Sequence, residues 1–185
     1  AVKRTLVEHE LFHYFMARAL PKYHTGYITM WQTLAEVGLH FVGHYFGVSL
    51  DHFFLTQAAM EVGRKSFAVK DAQWRLARVF PLLDKLRPYE ITPFGTGILF
   101  SHYYAFKCRA GDRGVGDKNL EEIKQQITKV AGEEGFMQCL ALAESIFKLI
   151  LQAGDYDTGN LKEITNFWIK YGEEKWLRLM DYTDY

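Results

Sequence analysis

Apolar residues recur at intervals of three and four along most of this chain, and that spacing constrains its fold more than any other feature. The clearest stripe lies in the second half and consists of Leu120, Ile123, Ile127 and Val130. Because an α-helix completes a turn in about 3.6 residues, this spacing places the apolar side chains on one helical face. No stretch alternates between apolar and polar residues over a length typical of a β-strand. The sequence therefore predicts an all-α fold.

Proline and glycine interrupt the periodic stretches and divide them into about eight or nine predicted helices. The predicted breaks are Pro21, Gly47 with Ser49, Gly63, and the glycine-rich loop 111–116. Helices are predicted to begin at Asp71 and at Thr92, since short polar side chains cap the first turn. Taken in order, the helices form an α-solenoid-like array of antiparallel hairpins within a single domain. The four hairpins cover about residues 1–47, 49–88, 92–132 and 135–185.

A pattern of small, acidic and apolar residues occurs twice in the second half of the chain. The first copy is Ala110-Gly111-Asp112, Gly116, Asn119-Leu120 and Glu122-Ile123, and the second is Ala153-Gly154-Asp155, Gly159, Asn160-Leu161 and Glu163-Ile164. The copies lie 41 to 43 positions apart, and in each the Asp or the Asn is predicted to cap the next helix. Such periods are typical of stacked helical hairpins. Chance is the alternative explanation, because the two copies share few residues.

The segment from Ile150 to Gly172, ILQAGDYDTGNLKEITNFWIKYG, resembles the centre of a pentatricopeptide or tetratricopeptide hairpin. The positions that carry the resemblance are a small-residue turn, two apolar residues, an aromatic and a final glycine: Ala153, Gly154, Leu161, Ile164, Trp168 and Gly172. The period is longer than in those families. The resemblance implies an α-solenoid that binds RNA or another protein. In size and character the chain is also similar to small pentatricopeptide-like accessory subunits in the F1 sector of euglenozoan mitochondrial ATP synthase, which implies a mitochondrial location.

The charge balance favours protein over RNA as the partner. The chain has 22 Lys and Arg residues and 22 Asp and Glu residues, so it carries no formal net charge. Binding to phosphates depends on clustered cations, and no long basic run occurs. We therefore expect a non-catalytic scaffold whose partners are other protein subunits of a larger assembly. The expected partner surface is at the end of the array, where no further repeat covers the large side chains of Trp168, Tyr171, Trp176 and Met180.

Three further features of the sequence concern the compartment, a possible membrane span and the cysteines. No secretory signal is visible, so an intracellular location is expected, and Ala1 in place of Met would follow from removal of the initiator or of a presequence. The stretch 28–50 is near membrane-spanning length, but its charged and histidine residues favour a buried helix over a bilayer span. Cys108 and Cys139 are too few for a disulfide framework and are expected to be buried free thiols.

The N-terminal helix contains a possible metal-binding motif, because His9, Glu10 and His13 match H-E-x-x-H. Two histidines four positions apart share a helical face and can bind one zinc ion. A zinc protease is not expected, since only eight residues precede the motif and no third histidine follows at metzincin spacing. Folding the second helix back would bring Glu36 and His40 level with the motif, but helical phase directs the two pairs to different faces. Histidines at the edge of the core are therefore favoured, with no metal, cofactor or catalytic residue predicted, and metal binding by these four residues is the alternative.

Overall fold

A computed structural model describes residues 2–19, 40–108 and 112–152. Every element in these ranges is helical, and no strand occurs among them, which confirms the all-α prediction. The α-helices are α1 (Val2–Ala19), α2 (His40–Glu61), α3 (Lys65–Leu83), α4 (Pro88–Leu99), α5 (Ala105–Lys107) and α6 (Arg113–Gln152). A π-helical segment, Phe100–Tyr104, joins α4 to α5 without leaving the helical path.

Aromatic side chains from α2 and the π-helical segment form the centre of the core. Phe53 and Phe100 stack with their ring centroids 4.4 Å apart, and both side chains are fully buried. Helix α4 lies against α6, while α1 packs on α2 and α3. Met16 of α1 is fully buried, and the ring of Phe12 lies 4.9 Å from that of Phe67 on α3.

The predicted helix break at Gly47 and Ser49 is wrong, since α2 continues through both residues. Glycine inside a helix costs about 1 kcal/mol relative to alanine. That cost is smaller than the gain from burying the residues that follow, because Leu50 and Phe53 are completely buried on the same helix. Burial therefore outweighs the local preference of glycine to end a helix.

Two helices begin earlier in the chain than the sequence predicts. Helix α3 begins at Lys65, and Asp71, which was predicted to cap it, is completely buried in its interior. Helix α4 begins at Pro88 rather than at Thr92. Its first turn is closed by Glu90, whose carboxylate accepts a hydrogen bond from the main-chain N–H of Arg87 at 2.8 Å. Proline suits the first position of this helix because its missing N–H is not needed there.

Helix α6 begins within the predicted glycine-rich loop. The carboxylate of Asp112 caps it by accepting hydrogen bonds from the main-chain N–H groups of Gly114 and Val115, at 3.1 and 3.4 Å. Of the two residues predicted as caps, Asp112 is therefore the one that caps the helix, since Asn119 lies inside α6 and is buried. Gly132 has φ of +72°, so α6 contains a break between the two segments that the sequence predicts as separate helices.

Several sequence predictions fall on residues outside the described ranges. They concern the turn at Pro21, the residue Glu36, the second copy of the repeat, and the expected partner surface formed by Trp168, Tyr171, Trp176 and Met180. None of the described helices combines the length and apolarity needed to cross a bilayer. Cys108 and Cys139 are buried and free, as predicted. The solenoid arrangement and the four hairpins stay predictions.

Candidate functional site: a buried histidine and carboxylate cluster

Polar side chains meet in the interior where α1, α2, α3 and the π-helical segment pack together. This histidine cluster consists of His9 and His13 from α1, Asp51 and His52 from α2, Asp71 and Arg75 from α3, and His102 from the π-helical segment. Buried polar and charged groups are costly unless they are paired, so each member of such a cluster requires a partner.

Within the cluster, a chain of three buried side chains links α1 to α3. His9 Nδ1 lies 2.7 Å from one oxygen of Asp71, and Arg75 Nε donates to the other oxygen at 2.8 Å. The Asp71 side chain is completely buried, and the other two are almost so. Burial alone would raise the pKa of Asp71, but Arg75 and His9 together lower it to about 2. Asp71 is therefore ionised and balances the charge of Arg75.

Arg75 also connects this chain to the π-helical segment. One terminal nitrogen of its guanidinium donates to His102 Nε2 at 3.2 Å, and the other donates to the Thr56 hydroxyl at 3.3 Å. Because arginine is always a donor, His102 Nε2 is an acceptor and the proton of this ring is on Nδ1. His102 Nδ1 lies 3.0 Å from the main-chain oxygen of Ile98. Burial, together with Arg75, holds the pKa of His102 well below its usual value, so its ring is neutral.

His9, His13 and His52 bring ring nitrogens into close proximity. His9 Nε2 and His13 Nε2 are 3.0 Å apart, and one nitrogen from each of the three rings lies within 4.8 Å of the others. His13 Nδ1 lies 3.3 Å from a carboxylate oxygen of Asp51. Burial raises the pKa of Asp51 to about 6, although His9 and Arg75 oppose that rise. Burial also lowers the pKa of His52 well below its usual value, so His52 is neutral. Neutral imidazole is the form that binds metal ions.

A cavity of about 410 Å³ lies beside the histidine cluster. His9, Glu10 and His52 contribute to its lining, and so do apolar side chains such as Trp74 and Phe94. Three of the four histidines in the cluster, His9, His52 and His102, therefore border a space that water or a small molecule could enter. His13 is not part of this lining, although about a quarter of its side chain is exposed.

The opposite face of α1 carries large apolar side chains that remain exposed. Val7, Leu11 and Tyr14 have exposed fractions of 55%, 62% and 61%, and they lie at helical spacing on one stripe. Leu6 and Phe15 flank this stripe and are exposed by about 40%. The guanidinium of Arg18 lies 5.2 Å from the centre of the Tyr14 ring. Val7, Leu11 and Tyr14 are called the apolar stripe below.

The prediction that both histidines of the H-E-x-x-H motif lie at the edge of the core holds for His13, whereas His9 lies in the interior. His9 is buried and His13 is partly buried. The metal-binding alternative paired these residues with Glu36, which lies outside the described residues, and with His40, whose side chain is also outside them. His52 is the residue that joins them, and the sequence offered no direct signal for it.

The sequence does contain a signal for the pair of Asp71 and Arg75, although Asp71 by itself has the character of a helix start. They are four positions apart and share a helical face with Ala68, Ala72 and Leu76, all of which are buried. An acid and a base on an apolar face predict a buried ion pair.

Neither a protein-family model, nor a curated protein, nor a solved structure matches this chain. Function is therefore inferred from its residues alone.

Proposed function

We propose that this chain is a non-catalytic, protein-binding subunit of a larger assembly. The observation that supports this role is the apolar stripe on α1. Single exposed apolar residues are common on proteins, but a contiguous apolar surface marks an interaction site. The side chains of the stripe are more than half exposed, and they follow one another at intervals of four and three positions.

In this proposal the two faces of α1 have different roles, one in the core and one in partner binding. Its inner face holds the helix to α2 and α3 through the buried side chains of His9 and Met16. Its outer face presents Val7, Leu11 and Tyr14 to a partner. An aromatic ring beside an arginine, as in the pair of Tyr14 and Arg18, is a combination enriched in protein interfaces.

The occupant that suits this stripe is an apolar groove or helical face on another subunit. A helix that presents residues at positions i, i+4 and i+7 binds such grooves by inserting its apolar side chains. The chain has no formal net charge, so copies of it repel each other little and would tend to associate when isolated. This property fits a chain whose apolar surface is covered by partners in a complex. In its specific form, the proposal is that this chain is an α-solenoid of eight or nine helices. Its assembly would be a mitochondrial complex such as the F1 sector of ATP synthase. The sequence repeat and the pentatricopeptide resemblance support that form.

Replacing the apolar stripe with serine tests the proposal directly. The variant Val7→Ser/Leu11→Ser/Tyr14→Ser removes apolar surface that is already exposed, so the isolated chain should keep its helical content and thermal stability. Association with the native complex should weaken at least about tenfold, because apolar residues at the centre of an interface contribute about 1 kcal/mol or more each. The native assembly is first depleted of this chain. The dissociation constant for rebinding of the purified wild-type or variant chain is then measured.

The matched control is Met137→Ser, because Met137 is an equally exposed apolar residue on α6, at 55%. This variant should bind the complex as the wild type does. A photo-crosslinking residue placed at Leu11 should form its crosslinks with another subunit. Crosslinks confined to the chain itself, or unchanged binding by the serine variant, would contradict the proposal.

A further inference from the structure

We infer that His9, His13 and His52 form a binding site for one divalent transition-metal ion, with zinc as the ion that best suits three imidazole ligands. The inference is independent of the protein-binding role proposed above, because it concerns the buried face of α1 rather than its exposed face. It rests on three observations: the orientation of the rings, the carboxylates behind them and the charge of the surroundings.

The orientation of the two α1 histidines brings one nitrogen of each ring to a place where a single cation can bind both. His9 Nδ1 lies 2.7 Å from the ionised carboxylate of Asp71, so this nitrogen carries a proton and donates it, and the lone pair of the unprotonated ring is on Nε2. His9 Nε2 faces His13 Nε2 at 3.0 Å, the distance of a hydrogen bond between the two rings. A metal ion can take the place of the proton between these nitrogens and bind both of them.

The carboxylates behind the rings match the usual surroundings of metal-binding histidines. A histidine that binds a metal through one nitrogen almost always donates its other N–H to a carboxylate, a main-chain oxygen or water. His9 has Asp71 in that position at 2.7 Å, and His13 has Asp51 at 3.3 Å. Such partners fix the tautomer and the orientation of the ring, and they increase its basicity toward the metal. Two carboxylate-backed histidines, one turn apart on the same helix, make a preformed pair of ligands.

The third ligand and the local charge also suit a cation. One nitrogen of His52 lies within 4.8 Å of the other two ligand atoms, from the neighbouring helix α2. Arg75 is balanced by Asp71, with Nε and carboxylate oxygen 2.8 Å apart, which leaves the carboxylate of Asp51 to offset the charge of a metal ion. His9 and His52 border the cavity, which places this side of the site next to a space large enough for water. The metal would thereby join α1 to α2.

Cobalt titration tests the site, because Co²⁺ replaces zinc in such sites and absorbs visible light when its coordination is tetrahedral. The full-length chain, without an affinity tag, is stripped with a chelator and titrated with Co²⁺. We expect one equivalent to bind with tetrahedral ligand-field bands, and Zn²⁺ to displace it. Metal analysis of the chain after equilibration with Zn²⁺ should give one ion per molecule.

Variants show whether the three histidines are the ligands. His13→Ala and His52→Ala should each weaken Co²⁺ binding by more than about a hundredfold, and Asp51→Asn should weaken it about 10- to 100-fold, as expected for a residue that orients a ligand. The control His102→Asn alters a buried histidine of the same cluster whose Nε2 accepts from Arg75, so it should leave the stoichiometry unchanged. Circular dichroism of each metal-free variant checks that it folds, and His13→Ala is the safest, since His13 is partly exposed.

Two results would overturn the inference. The first is a wild-type chain that takes up no more Co²⁺ or Zn²⁺ than folded His13→Ala does, which would mean that a shared proton separates the two rings. The second is unchanged binding in both His13→Ala and His52→Ala. Neither measurement involves a partner protein, so failure of this inference and failure of the proposed protein-binding role can be told apart.

Discussion

At the scale of single residues, an ion pair between arginine and a carboxylate contributes differently to stability on the surface and in the core. Arg75 and Asp71 are four positions apart on α3 and almost completely buried, and Arg4 and Glu8 are four positions apart on α1 and exposed. A buried charge that loses its partner is left uncompensated in a medium of low dielectric constant. An exposed charge that loses its partner is solvated by water.

We therefore expect Asp71→Ala to destabilise the chain by about 3–5 kcal/mol. The matched change Glu8→Ala should cost less than about 1 kcal/mol. Both free energies of unfolding are measured by urea denaturation in the presence of a chelator, so that metal binding does not contribute. Similar values for the two variants would show that the Asp71 and Arg75 pair is more accessible to water than its burial indicates.

The thiol of Cys139 should be unreactive while the chain is folded. Burial raises its pKa to about 12, whereas an ordinary thiol ionises near pH 8.5, and only the thiolate reacts with alkylating agents. Between pH 8.5 and 10 we expect Cys139 to remain a thiol in the native chain. Mass spectrometry after brief treatment with iodoacetamide should show no label at Cys139, and full label after unfolding in guanidinium. Rapid labelling of the native chain would indicate that the contact between α4 and α6 opens readily.

At the scale of helices, close approach between α4 and α6 depends on a glycine. A Cβ atom at Gly95 would lie 2.8 Å from Cys139 Sγ and 3.0 Å from Ile127 Cδ1, and both of these side chains are buried on α6. The π-helical segment that follows α4 is held against the same helix, since Asn119 Nδ2 donates to the main-chain oxygen of His102 at 2.8 Å. The interface between α4 and α6 therefore helps to position His102 in the histidine cluster.

Gly95→Ala should destabilise the chain by about 1–3 kcal/mol, the usual cost of adding a methyl group to a well-packed core. The control is Gly114→Ala, because a Cβ atom there would meet only an oxygen of Asp112, at 3.4 Å. That change should be neutral or stabilising by up to about 1 kcal/mol, since alanine favours a helix more than glycine does. Thermal or urea unfolding of the two variants gives the comparison. A stable Gly95→Ala variant would mean that α4 and α6 can move apart at little cost.

At the scale of the whole molecule, the charge balance predicts how the chain responds to nucleic acid. The numbers of acidic and basic residues are equal, at 22 each. RNA binding gains much of its free energy from counterions that clustered cations release, and a neutral chain has few cations to spare. The pentatricopeptide resemblance allows either RNA or a protein as the partner, and the charge balance favours a protein.

We expect affinity for single-stranded RNA to be weak and to disappear at moderate salt. Fluorescence anisotropy with a labelled RNA at low and at physiological salt provides the measurement. Tight, sequence-selective binding at physiological salt would favour the RNA-binding alternative over the protein-binding role.

The sequence alone determined the properties that depend on neighbouring residues. The all-α character follows from apolar spacing, and the free state of the cysteines follows from their small number. Helix ends were less predictable, because local preferences of about 1 kcal/mol or less are overridden by burial. Gly47 is the example: it favours a helix end locally, yet α2 continues through it because the large side chains that follow are buried.

Only the tertiary structure decided which side chains form the histidine cluster. His9 and His13 were recognisable from their spacing, but their contacts come from distant parts of the chain, and the bond between His9 and Asp71 spans 62 positions. Asp71 has the local character of a helix cap, and it becomes the partner of His9 only because α3 packs against α1. No periodic pattern encodes such a contact, since periodicity reports which face of a helix is buried and not which helix covers it.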